Sequence, residues 1–211
     1  MMTFDSSSSN QPTGEALTEP FSAAAELVEA DWVFGYGSLI WNPGFEFSEA
    51  HLGRVHGYHR AFCIRSTSYR GTPEQPGVVL GLDRGGSCIG MAFRLKPESR
   101  RRAIEALYER EMTGGVYVPR VLSVSVRGAR QVRALTFTAN QRSPSYEQLS
   151  ESEIVRRLSS CCGQRGLNRD YALLTWRSLA EHGVHCSHLG RLSVGLAADP
   201  CSSNAPEATP L

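Results

Sequence analysis

Between residues 32 and 139 the chain repeatedly adopts the two-residue alternation of half-buried strands and is repeatedly interrupted by glycine and proline. This rhythm limits the fold more than any other feature. Alternation sends successive side chains to opposite faces, so each run buries its apolar side only by pairing with neighbours. Strands are expected at residues 32–36, 54–64, 77–82, 89–95, 118–126 and 132–139, the last two joined by a turn at Gly128 and Ala129. A helix is expected over residues 98–112, and further helices over 150–161 and 168–182, with Asn168 as N-cap and Gly183 as the terminating residue. Strands followed by helices indicate an α+β domain. Six strands with few long crossovers favour a small closed or nearly closed sheet over a doubly wound parallel one.

Outside this region the composition changes. Residues 1–19 are rich in Ser, Thr, Asn, Gln and Pro without apolar periodicity, and Pro200, Cys201, Ser202, Ser203, Pro206 and Pro210 give the C-terminus the same character. Such segments bury too little surface to offset the entropy of ordering. The expected organisation is a mostly disordered tail over residues 1–30, one domain over 31–196, and a disordered tail over 197–211.

The 22 basic and 21 acidic side chains leave a net charge of +1, too weak a field to attract nucleic acid or a membrane surface. Arg100, Arg101 and Arg102 read as a solvated helix face rather than a phosphate patch. No apolar run approaches the ~20 residues of a membrane span, and the N-terminus has no basic start followed by an apolar stretch. Six irregularly spaced cysteines without a Cys-x-x-Cys pair suit a reducing cytoplasm better than a disulfide framework. A small-molecule partner and a cytoplasmic location are the expectations.

Three segments carry chemistry. Gly35, Tyr36, Gly37, Ser38, Leu39 and Ile40 follow the first apolar strand. Their glycines let the backbone approach a ligand, and their N–H groups with the Ser38 hydroxyl could cradle a carboxylate; an ordinary turn is the alternative. In the helix over 98–112, Ile104, Leu107, Tyr108 and Glu111 share one face, so Glu111 points inward while Arg102, Glu105 and Glu109 point elsewhere. A desolvated carboxyl gains proton affinity, which suits acid/base catalysis. The competing reading is a frayed last turn in which Glu111 pairs with Arg110 or Arg120. Tyr117, after the helix-ending Thr113, Gly114 and Gly115, either orients a ligand or packs. Arg70, in the proline-stiffened loop over residues 70–77, is either an anion contact at a pocket rim or an exposed loop side chain.

His182, His185 and His188 recur every third residue, but Gly183 separates them from a common helix face, so no metal site is expected. Phosphate-loop, dinucleotide-binding and Gly-x-Ser-x-Gly patterns are absent, and no cofactor is implied.

These segments, in this order, resemble the ChaC-type, glutathione-specific gamma-glutamylcyclotransferase family. VFGYGSLIW over residues 33–41 matches its signature, and Arg110 with Glu111 matches its Arg-Glu pair ahead of a glycine turn. The likeness continues through RGTPEQPG at 70–77, GGSCIGMAFRL at 85–95, and the closing stretch 170–189. His185 and Cys186 depart from the family pattern, where an acidic residue is common. The resemblance implies a gamma-glutamylcyclotransferase-like fold, a small mixed β-barrel flanked by helices. It also implies cleavage of glutathione to 5-oxoproline and Cys-Gly, with Glu111 catalytic, residues 35–40 holding the gamma-glutamyl group, and no metal. Other gamma-glutamyl peptides or amines, or a non-catalytic binding role, are the alternatives.

Overall fold

Strand β1 (Trp32–Gly35) is buried along its whole length. It pairs antiparallel with β3 (Gly77–Leu95) and parallel with β5 (Arg130–Ala139), so both its edges and both its faces are covered. The computed structural model describes residues 30–126 and 130–197. Together with β2 (Phe47–Ser66) and β4 (Tyr117–Val126), these strands close a barrel in the order β1-β3-β2-β4-β5, completed by pairing of β5 with β1 and β3. Closure gives every strand of the barrel at least two neighbours, although β2 and β4 meet only at Gly53↔Val126 and Arg54↔Ser125.

The expected strands at 77–82 and 89–95 are one strand, and the strand expected to begin at residue 54 begins at Phe47. The reason lies at Gly57, Gly85 and Gly86, with φ of 80°, 98° and 67°. The β2–β3 register shifts between His56 and Tyr58 at this point. Glycines in the left-handed region let two long strands bend around the barrel without breaking the ladder, so a sequence mark for a turn is here a bulge. The β4–β5 hairpin runs in register from Tyr117↔Ala139 to Val126↔Arg130. Its turn at Gly128 and Ala129 lies outside the described residues, as do the tails over 1–29 and 198–211.

Helix α1 (Arg100–Glu111) lays Ala103, Ile104 and Leu107 against Val33, Leu95, Leu135 and Phe137. Burying side chains such as Ile104 and Leu107 contributes roughly 1.5–3 kcal/mol each. On the barrel's other side sit α2 (Glu151–Ser160), α3 (Asn168–Glu181) and α4 (Ser187–Ala197), which supply Leu158, Leu179, Leu189 and Leu192 to the second core cluster. Ser150 caps α2 by accepting from the Glu153 N–H.

Asn168 is not an N-cap. Leu167 takes that place, and the fully buried Asn168 side chain instead bridges to β3, accepting from the Val78 N–H at 2.7 Å and donating to the Val78 carbonyl at 2.8 Å. Gly183, with φ of 73°, follows the end of α3. Between α2 and α3 a small hairpin, β6 (Cys162–Gly163) and β7 (Gly166–Leu167), carries Gln164 and Arg165 at its tip. Among the described residues, no helix is long and apolar enough to cross a membrane, and no three His, Cys, Asp or Glu side chains converge as a metal-holding group.

Candidate active site

The chain leaves β1 through Tyr36 and Gly37 into a short 3-10 turn, Ser38–Ile40, closed by the Ile40 N–H on the Gly37 carbonyl at 3.0 Å. Leu39 points into the α1 core and Ile40 into the other cluster, so these residues anchor the loop and offer a ligand only their backbone. At Gly37 a Cβ would lie 3.1 Å from the Tyr171 hydroxyl, so a side chain there would push the phenol by a few tenths of an ångström. Tyr36 donates to the Phe137 carbonyl at 2.7 Å, while its own carbonyl accepts from Arg60 Nε at 2.5 Å. Trp41 Nε1 donates to Thr175 Oγ1 at 3.1 Å, tying the turn to α3.

Helix α1 ends at this loop. Arg110 spreads its guanidinium over four partners: Ser38 Oγ at 2.9 Å, the Asn42 carbonyl at 2.9 Å, the Pro43 carbonyl at 3.5 Å, and Glu111 Oε1 at 3.1 Å. The Glu111 side chain is only 17% exposed. Glu111 therefore faces inward and is also paired with Arg110, but not from a frayed turn, since the helix runs to Glu111 and the Met112 N–H closes on the Tyr108 carbonyl. Burial raises its proton affinity above that of an ordinary carboxyl, opposed by the nearby positive charges of Arg110 and Arg165. The desolvation effect wins despite an ion pair at 3.1 Å, because Arg110 divides its donors among other acceptors.

Three tyrosines complete the site. Tyr117 donates its hydroxyl to the Leu80 carbonyl at 2.8 Å, and Tyr171 accepts from the Leu80 N–H at 3.2 Å. All three phenols are pushed above their ordinary pKa, first by burial, with the Glu111 charge acting in the same direction. They remain neutral near pH 7 and serve as hydrogen-bond groups rather than bases. The shared influence of Glu111 on Tyr36, Tyr117 and Tyr171 places these four side chains in one electrostatic neighbourhood.

Arg70 is 9% exposed, more buried than an exposed loop side chain would be. Its Nη1 donates to the Leu167 carbonyl at 2.9 Å, and its guanidinium lies 5.6 Å from the centre of the Tyr171 ring. It borders the site with part of its fork already engaged. Two surface clefts, one along Trp32, Arg130 and Gln131 and one along Leu52, Ile89 and Val184, include none of these residues.

Arg60, Tyr171 and the backbone of Leu80 were not singled out by sequence reasoning. One signal for Tyr171 was present: Asn168, Tyr171 and Thr175 lie at i, i+3 and i+7, a hydrogen-bonding stripe on a helix face that is fully or nearly buried.

The arrangement is a glycine-bearing loop joined through Arg110 to a nearly buried carboxyl, in a neighbourhood of neutral phenols. It can bind an amino acid and move a proton. Residues 31–195 match the sequence model of the ChaC-like protein family. The chain is 37% identical over 166 residues to the glutathione-specific gamma-glutamylcyclotransferase of Escherichia coli strain K12, covering 78% of this chain and 72% of the relative. It is 33% identical over 150 residues to the human glutathione-specific gamma-glutamylcyclotransferase 1, covering 69% and 68%. A crystal structure of a yeast gamma-glutamyl cyclotransferase specific to glutathione superposes with a TM-score of 0.72 at 20% identity, over 79% of this chain and 95% of that one. The barrel with its flanking helices is thus the fold of that group.

Proposed function

The chain belongs to the ChaC-like family, and from that membership and the site geometry we propose that it is a glutathione-specific gamma-glutamylcyclotransferase with Glu111 as its acid/base residue. The observation that carries the reading is the nearly buried Glu111 carboxyl, linked through Arg110 to Ser38 of the glycine loop.

Glutathione carries its own nucleophile, the alpha-amine of the gamma-glutamyl residue, so no enzyme nucleophile is needed. The loop over residues 35–40 holds the glutamyl group curled, with the amine near its own gamma-carbonyl, which supplies the proximity effect. Raising the Glu111 carboxyl toward the range of an amine narrows the proton-transfer gap, so Glu111 takes a proton from the alpha-ammonium. The freed amine attacks the carbon of the gamma-carbonyl, forming the lactam C–N bond, and the bond from that carbon to the cysteinyl nitrogen breaks. The ammonium began with three protons and the lactam keeps one. The other two end on the departing Cys-Gly amine, carried in turn by Glu111. In this reading the Gly37 and Ser38 amides steady the substrate's carboxylate or the developing oxyanion, while Tyr117, its hydroxyl donated to the Leu80 carbonyl, lines the site.

A cytoplasmic location suits this reading, because glutathione is abundant where thiols stay reduced, and Cys63, Cys88, Cys161, Cys162 and Cys186 are free thiols. The test is incubation with glutathione in metal-free buffer, following 5-oxoproline and Cys-Gly, beside a panel of other gamma-glutamyl peptides and amines. Equimolar products from glutathione, and far slower reaction of the panel, are expected. Comparable rates across the panel would refute glutathione specificity, and no product from any substrate would refute the cyclotransferase reading.

A further inference from the structure

The β6–β7 hairpin lies strapped along residues 68–70 on the border of the site. The Gln164 N–H donates to the Ser68 carbonyl at 2.8 Å and the Arg165 N–H to the Tyr69 carbonyl at 2.9 Å. A Cβ on Gly163 would meet the Tyr69 carbonyl carbon at 2.5 Å and the Arg70 nitrogen at 2.6 Å, so the two backbones are in direct contact. From this strap the Arg165 guanidinium stacks 3.9 Å from the centre of the Tyr69 ring. Stacking fixes a planar fork while leaving its N–H edges open.

The other cations of the site are differently employed. Arg110 is divided among Ser38, Asn42 and Glu111. Arg60 holds the Tyr36 and Ile89 carbonyls, and Arg70 holds the Leu167 carbonyl. Arg165 is exposed, and among the described residues no carboxylate forms an ion pair with it. The strap packs on the backbone of Arg70, whose guanidinium lies 5.6 Å from the centre of the Tyr171 ring, so Arg165 sits at the border of the site, and its charge acts on Glu111 in the same direction as that of Arg110.

Given the cyclotransferase reading on which this rests, glutathione must present two carboxylates. The glutamyl carboxylate shares a carbon with the amine that Glu111 serves and belongs at the inner end. The glycyl carboxylate lies beyond the scissile bond by two residues, about 7 Å of extended chain, and points outward. We infer that Arg165 is a specificity-determining residue that binds the glycyl carboxylate of the departing Cys-Gly half. A cyclotransferase whose loop grips only the glutamyl half gains selectivity for a tripeptide of this length through such a contact.

The experiment compares glutathione with its C-terminal amide and with gamma-glutamylcysteine, using wild type, Arg165→Ala, and Arg165→Gln, which keeps a planar polar group on a shorter stem without charge. For wild type, amidation is expected to raise KM about tenfold, the scale of one charge-assisted contact at a partly exposed site. For both variants KM for glutathione rises by a similar factor, the preference over the amide disappears, and the dependence of KM on salt flattens. The inference is overturned if the variants still prefer glutathione to the amide as strongly as wild type does, if wild type treats the two alike, or if the loss falls on kcat equally for all three substrates. Failure of wild type to release 5-oxoproline from any of them would instead defeat the cyclotransferase reading, and this inference with it.

Discussion

Arg110→Met tests how the site is held together. The change keeps an apolar stem of similar reach and removes the fork that joins Ser38 Oγ, the Asn42 carbonyl and Glu111. Hydrogen bonds from a charged donor contribute about 1.5 kcal/mol each at the lower end of their range. The two to Ser38 and Asn42 would therefore sum to about 3 kcal/mol. The Arg110 side chain is 19% exposed, so water replaces part of what is lost, and a net cost of about 2 kcal/mol is expected. For a domain of this size that lowers Tm by about 4–8 °C. The catalytic effect has a sign as well. Arg110 is the larger of the two positive influences that pull the Glu111 carboxyl back toward its ordinary value, so removing it sends the proton affinity of Glu111 further up. A base is active when deprotonated, so the acidic limb of kcat/KM moves to higher pH. Arg110→Lys keeps a charge without the fork, and should lose stability while leaving the limb closer to that of wild type. Thermal melts and pH–rate profiles of both variants read these effects separately. Wild-type Tm and an unmoved acidic limb in Arg110→Met would refute the reasoning.

Asn168→Ala deletes two hydrogen bonds to the Val78 backbone at a fully buried position and leaves a buried N–H and carbonyl unpaired. A cost of about 2–4 kcal/mol is expected by denaturant unfolding, and a loss below ~1 kcal/mol would show that water reaches the gap. Glu111→Gln should alter stability as a function of pH. Because burial raises the folded-state proton affinity of Glu111, its stabilising protonation is complete below the ordinary value of 4.5 and is lost as pH rises through the raised folded value. Gln mimics the protonated form, so the variant should melt above wild type at pH 7, with the gap closing toward pH 4. Each unit of elevation corresponds to about 1.4 kcal/mol. A variant that melts lower than wild type at pH 7 would mean that the Arg110 ion pair outweighs desolvation.

The barrel was legible from the strand alternation because closure is what alternation with few crossovers demands. The division of β3 into two strands was a misreading of Gly85 and Gly86, since a sequence does not distinguish a glycine that ends a strand from one that bends it. Asn168 suggested an N-cap for a sound local reason, and was diverted by a partner 90 residues away. Helix α4 was missed because Gly190 and Gly195 dilute the apolar spacing of a short element. At the site, helix periodicity placed Glu111 on the inward face. Its fastening through Arg110 to Ser38 spans 72 residues and is invisible to any local window. The same holds for Arg165, which is brought beside Tyr69 because the β6–β7 hairpin is bonded to residues 68 and 69.

The most direct test of the central claim is Glu111→Gln examined for both binding and turnover. Glutathione affinity is measured by calorimetry, and release of 5-oxoproline with Cys-Gly is followed under single-turnover conditions. Glutathione affinity within a few-fold of wild type, with product formation reduced by about 10³-fold or more, is the predicted result for loss of a general acid/base within a preserved site. Product formation near the wild-type rate in this variant would contradict the account.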